Sequence, residues 1–186
     1  MYKRQIQHGD VTVYAHVTSV ARASLSFAER LGRAGVSVDR ASLLRGALLH
    51  DYFLYDWHDP DPSHRLHGFR HPFFALARAE EDFELTPRER NIIVRHMFPL
   101  VPVPPTCREA WIVCLADKWC ALRETVSGRL FDSQLFQFDR IDAIRLCFYT
   151  DQLIIQLLFV YCNAADRSVR QCDIPVSYTH LTLPTT

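Results

Sequence analysis

Apolar positions along the chain recur at helical spacing and are separated by short, punctuated breaks, and no convincing strand alternation appears beyond residues 10–15. Thr18 and Ser19 are good cap residues for a first helix that runs through Leu31 and ends before Gly32. Asp39 caps a second, whose Leu43, Leu44, Ala47 and Leu48 form one apolar stripe and which ends near Tyr55. The loop from Asp56 to His67 contains two Asp-Pro steps. Pro72 suits the first turn of a third helix that reaches Phe83. Thr86 and Glu89 have capping-box spacing, with Pro87 between them, and launch a fourth helix through Met97. Prolines between 99 and 105 break the chain. Thr106 and Glu109 repeat the box and open a fifth helix that stops at Gly128. A sixth, from Asp139 to about Cys162, covers one side of the assembly. The expectation is an all-α, single-domain bundle of about six helices.

The size, 186 residues, fits one domain with a substantial core. The domain is expected to span residues 1–175. Val176 to Thr186 has neither helical nor strand periodicity, follows the break at Pro175, and resembles the translation of a transposon-type sequencing adapter. It is read as a tail outside the domain, in which His180 has no role.

Composition narrows the function classes. Lys plus Arg and Asp plus Glu both number 21, so the formal charge is zero and no basic stripe for a nucleic-acid duplex is expected. Residues 1–10 lack an apolar signal core, and no apolar run approaches the ~20 residues that a membrane span needs. The six cysteines contain no Cys-x-x-Cys pair and read as reduced core residues of a cytoplasmic protein. The tryptophans Trp57, Trp111 and Trp119 read as packing residues.

Against this background the polar residues on apolar helix faces stand out, because burying them is costly unless they are satisfied. Asp117 falls in the middle of a face made by Ala110, Val113, Cys114, Cys120 and Ala121. His96 shares a face with Ile92, Ile93 and Met97. Asp51 extends the stripe of the second helix, with His50 beside it. Singly, an inward histidine is most often a hydrogen-bonded core residue, and an inward aspartate a helix–helix hydrogen bond or an ion pair. Together, three helices aim imidazoles and carboxylates at one interior. That donor mixture suits Mn, Fe, Co, Ni or Zn rather than Ca.

The ordered set His16, then His50-Asp51 after two leucines, then Asp117 between Ala116 and Lys118, resembles the HD superfamily of metal-dependent phosphohydrolases. His71, followed by Pro72, and His96 resemble the additional histidines of its two-metal branches. The strings from His50 to His58, from His67 to Pro72 and from His96 to Leu100 resemble a bacterial subgroup of HD proteins. The resemblance implies a first metal on His16, His50, Asp51 and Asp117. It implies a second on His71 and His96, with Asp51 bridging the two. Two departures bear on the substrate: no Gly-Tyr-Pro follows the doublet, as in cyclic di-GMP hydrolases, and Leu54 and Tyr55 stand where guanosine-tetraphosphate hydrolases carry an acidic pair.

The activity implied by the resemblance is hydrolysis of a small phosphomonoester or phosphodiester, nucleotide-like, by a metal-activated hydroxide, with one or two divalent ions as cofactor. Asp51 and Lys118 are the expected catalytic groups. His67, Arg70, Arg95 and Lys118 are the expected substrate contacts. His58 and His64 read as solvated loop residues and His8 as an exposed terminal one. Two other readings share the pattern: a mixed-valent di-iron oxygenase of the same superfamily, and a regulatory module that binds a metal or nucleotide without turnover. Oligomeric state is left open.

Overall fold

The computed structural model describes residues 6–8, 11–53, 67–132, 156–158 and 160–161. Within these the protein is an all-α bundle preceded by a minimal antiparallel hairpin, β1 (Ile6–His8) with β2 (Val11–Thr12). Five helices follow: α1 (Val13–Arg33), α2 (Arg40–Leu49), α3 (His67–Asp82), α4 (Pro87–Arg95) and α5 (Arg108–Asp132). α1 packs on α2 and α5, and α4 packs on α2, α3 and α5.

Two caps form as the side-chain chemistry dictates. Asp39 Oδ1 accepts the N–H groups of Ala41 and Ser42, both at 3.1 Å, and starts α2. Thr86 Oγ1 accepts the Glu89 N–H at 3.3 Å while Glu89 Oε2 accepts the Thr86 N–H at 2.8 Å, closing the expected box at α4.

Elsewhere tertiary contacts override the local signal. α1 starts at Val13, with Thr12 as its cap, because Thr18 and Ser19 lie inside the helix and donate to the carbonyls of Tyr14 and Ala15. It continues past Gly32 to Arg33, and the left-handed turn falls on Gly35, at φ 83°. α2 ends at Leu49 rather than near Tyr55, and residues 54–66 lie outside the described residues. α3 begins at His67, so Pro72 sits inside the helix rather than in its first turn. The turn that precedes Pro72 packs closely, since a Cβ on Gly68 would lie 3.2 Å from Leu100 Cδ2.

At the start of α5 the second capping box gives way to longer-range bonds. Thr106 exchanges two hydrogen bonds with the Asn91 side chain, of 2.8 and 3.1 Å. The Glu109 carboxylate accepts the Asp39 N–H at 2.8 Å, tying α5 to the entry of α2. α5 then passes through Gly128 to Asp132. Of the sixth helix, the described residues 156–158, 160 and 161 are helical; Leu158 is fully buried in the core and Tyr161 stacks on Trp111 at 4.2 Å. The tail from 176 lies outside the described residues.

The core forms two clusters. One joins Val20, Phe27 and Leu31 of α1 with Leu43, Ala47, Ile92, Ile112 and Trp119. The other joins Val13 and Val17 with Phe53, Ala75, Leu76, Ala79 and Ile93. Trp111 and Trp119 are packing residues, and Cys114 and Cys120 are buried free thiols. The apolar stripe of α2 is rotated from its expected phase: Leu44 and Leu48 are exposed, whereas Ser42, Leu43, Gly46 and Ala47 are buried. The rotation follows from close approach to α4, where a Cβ on Gly46 would lie within 2.8 Å of Ile92 Cγ2 and 2.9 Å of its Cβ.

Gly46→Ala is therefore expected to destabilise the protein. Alanine improves helix propensity by about 1 kcal/mol, but overpacking a filled core costs about 1–3 kcal/mol. Urea unfolding of the metal-free protein should show a net loss of up to about 2 kcal/mol; increased stability would show that Ile92 yields freely.

Candidate metal centre

Six of the residues singled out by the sequence meet in one buried cluster: His16, His50, Asp51, His71, His96 and Asp117. They arrive from five parts of the bundle, His50 and Asp51 together from the end of α2. His16 comes from the first turns of α1 and Asp117 from the middle of α5. His50 and His96 are the C-cap residues of α2 and α4, and His71 projects from α3.

The C-cap position explains the two histidines' orientation. His50 Nδ1 lies 2.8 Å from the Ala47 carbonyl and His96 Nδ1 lies 2.7 Å from the Ile93 carbonyl, three residues back in each case. A carbonyl only accepts, so each Nδ1 carries the proton and each Nε2 presents a lone pair. Those lone pairs face inward. His50 Nε2 is buried without a hydrogen-bond partner among the described residues, 3.4 Å from Asp51 Oδ2 and 3.8 Å from Asp117 Oδ1.

Asp51 stands between two groups of donors. One consists of His16, His50 and Asp51, and the other of Asp51, His71 and His96, with the ligand atoms of each group lying within 4.8 Å of one another. Asp51 Oδ1 is 3.3 Å from His71 Nε2 and 3.5 Å from His96 Nε2, and those two nitrogens are 2.8 Å apart. Asp117 adjoins the first group, with Oδ1 3.1 Å from His16 Nε2.

Electrostatics follow from burial and crowding. Burial opposes ionisation of Asp51, yet the neighbouring His50, His71 and His96 hold its carboxyl well below the usual carboxylate range. Burial likewise opposes the charge on Asp117, and the His16 hydrogen bond with the Lys118 charge outweighs it, keeping the carboxyl low. Burial, reinforced by His50 and His71, pushes His96 down to about 3, so it is a neutral imidazole. His16 goes the other way. Burial disfavours its charge, but hydrogen bonds to Asp117 and Glu124 raise it to about 10.

The expected substrate contacts fall around this cluster unequally. Lys118 Nζ donates to the His96 carbonyl at 2.5 Å and lies 3.3 Å from Asp117 Oδ2, with its side chain 35% exposed. Arg95 Nε is buried with no hydrogen-bond partner among the described residues. Arg70 lies over the Phe74 ring, 5.0 Å from its centroid. His67 opens α3, but its side chain lies outside the described residues, as do His58, His64 and Trp57. Sequence reasoning missed Glu124, whose Oε2 lies 2.9 Å from His16 Nδ1. Its signal was spacing: it follows Asp117 by two helical turns on α5.

The HD domain model matches residues 13–122, which is more than half of the chain and holds all six clustered residues. The chain belongs to the HD-domain family. No curated protein and no solved structure matches it. The HD domain places it in a superfamily of metal-dependent hydrolases, and the cluster fits a metal on its own chemistry. Neutral imidazole nitrogens and ionised carboxylate oxygens are ligands for Mn, Fe, Co, Ni or Zn. The buried lone pair of His50, unpartnered among the described residues, is a donor that only a cation or a hydrogen-bond donor would satisfy. Among the described residues, no helix of this HD domain is long and apolar enough to cross a membrane.

A pH dependence arises from His16. Its imidazolium, raised to about 10 in the folded protein, stabilises the metal-free fold fully below its unfolded value near 6.5; that contribution is lost as pH rises through about 10. A cation at Nε2 must displace the same proton. Metal uptake at pH 7 to 8 should therefore release a proton, and apparent affinity should rise with pH. Calorimetric titration of Mn²⁺ in buffers of different ionisation enthalpy checks this, and buffer-independent heats would contradict it.

Proposed function

We propose that this HD domain is a phosphohydrolase that acts on a small phosphomonoester or phosphodiester of nucleotide-like character. The observation that carries the reading is the Asp51 carboxylate, with one oxygen toward His50 and the other toward His71 and His96. A single carboxylate facing two groups of imidazoles is the arrangement that a pair of cations needs. The first cation would be held by His16, His50, Asp51 and Asp117, and the second by Asp51, His71 and His96. Divalent ions bound there supply Lewis acidity, which acidifies water and offsets charge on phosphate oxygens.

The chain's own residues supply the rest. The Nδ1 bonds of His50 and His96 to their helix carbonyls keep both rings fixed, so the donor set is ordered in advance. Lys118, beside Asp117 and partly exposed, is placed to orient a phosphate as a compact positive charge. Arg95, adjacent to His96 and with its Nε unpartnered among the described residues, has donors to spare for phosphate oxygens. Arg70 is the weaker contact, since the Phe74 ring already engages its guanidinium. His67, the first residue of α3, is a further proposed substrate contact.

Purified protein loaded with Mn²⁺, Fe²⁺ or Co²⁺ should hydrolyse nitrophenyl phosphate, bis-nitrophenyl phosphate or members of a nucleotide panel. Absence of turnover with every metal overturns the reading, and oxygen-dependent turnover with iron favours the di-iron oxygenase instead. The wild type should hold up to two metals per chain, and His71→Ala with His96→Ala about one, as measured by elemental analysis. Equal metal content in the two proteins would make these histidines structural. Asp51→Asn keeps the shape but removes the shared charge; activity should nearly vanish while the helical circular dichroism stays. Retained turnover would refute the bridge.

A further inference from the structure

All four histidines of the cluster present Nε2 to the interior, but His16 is oriented by different means from His50 and His96. His50 and His96 each donate Nδ1–H to a carbonyl of their own helix, at its C-terminus, where the last carbonyls have no helical partner. His16 lacks that option. It lies within α1, whose backbone carbonyls are engaged in the helix, and its Nδ1 finds a side chain from another helix, Glu124 Oε2 at 2.9 Å. His16 is fully buried and the Glu124 side chain is 13% exposed, so the pair is largely screened from water.

We propose that Glu124 is the positioning residue for the first metal: its carboxylate fixes the tautomer and ring orientation of His16 and so sets the affinity of that site, while leaving the His71 and His96 site unaffected. This rests on the metal reading given under Proposed function.

Two features of the geometry support it. Glu124 and Asp117 come from the same face of α5, two turns apart, and grip opposite nitrogens of one imidazole, at 2.9 and 3.1 Å. One rigid helix thus places the neighbour of Nε2 and the anchor of Nδ1 together. A carboxylate accepting Nδ1–H also makes Nε2 more basic than a backbone carbonyl does, so this imidazole becomes the stronger donor. Loss of such a partner typically weakens metal binding by about 10–100-fold.

The test uses Mn²⁺ alone as the probe, with free Mn²⁺ followed by its paramagnetic resonance signal. In the His71→Ala/His96→Ala background only the first site remains. Adding Glu124→Leu there should weaken Mn²⁺ binding about 10–100-fold. Glu124→Gln, which keeps an acceptor oxygen but loses the charge, should weaken it only a few-fold. In the His16→Ala background the partner is gone, and Glu124→Leu should leave the remaining Mn²⁺ affinity unchanged. A purely structural role would instead lower affinity alike in both backgrounds, and that result overturns the proposal. So does wild-type affinity in the Leu variant of the first background. If the Leu variant does not fold, judged by circular dichroism with chelator present, the Gln variant decides: a loss confined to the first site supports the proposal, and no loss overturns it. Failure of the wild type itself to bind Mn²⁺ would overturn the metal reading and this inference with it.

Discussion

The histidine that ends a helix and donates Nδ1–H to the carbonyl three residues back is the interaction on which the rest depends. It occurs twice, at His50 on Ala47 and at His96 on Ile93. Each bond satisfies a carbonyl left open at a helix end, and in doing so commits the ring's proton to one nitrogen. The other nitrogen then points away from the helix as an acceptor, into the space where α1, α2, α4 and α5 meet. Position and chemistry are coupled: had either helix run one turn further, the histidine would lose this bond and its fixed tautomer. The early stop of α2 at Leu49 is therefore part of how the site is made.

A cluster of buried carboxylates and imidazoles must still fold before any cation reaches it. Burial works against both Asp51 and Asp117, and uncompensated charge there would cost several kcal/mol per group. The compensation visible in the structure is His16, held as an imidazolium between Asp117 and Glu124, with Lys118 on the other oxygen of Asp117. The proton on His16 Nε2 stands where a cation would be held. Part of the charge compensation that the buried carboxylates require is therefore already present in the metal-free fold.

Much of this was legible in the sequence, for physical reasons that differ by element. The caps at Asp39 and Thr86 are local, their partners lying two or three residues away, and a local rule finds them. The second box failed because Asn91, fifteen residues before Thr106, offers two hydrogen bonds that a local rule cannot see. Leu44 and Leu48 looked as apolar as Leu43, but the phase of α2 is set by Gly46 meeting Ile92, a contact invisible along one helix. Asp117 was conspicuous because a carboxylate among alanine, valine and cysteine is out of place. Glu124 was inconspicuous because its neighbours on α5, Arg123 and Thr125, are polar and exposed, so its spacing from Asp117 was the one mark of an inward position.

α5 organises the site more than any other element, and its three polar residues explain why. Asp117 reaches His16 of α1 and lies near His50 at the end of α2. Lys118, one residue on, donates to the His96 carbonyl, placing a positive charge at the C-terminal end of α4, where the helix dipole favours it. Glu124 returns to His16 two turns later. Three side chains of one rigid rod thus address the histidines of three other helices. The first donor group is held by α1, α5 and the cap of α2, and the second by α3 and the cap of α4. Among the described residues, helices and their caps thus suffice to bring the donors around Asp51.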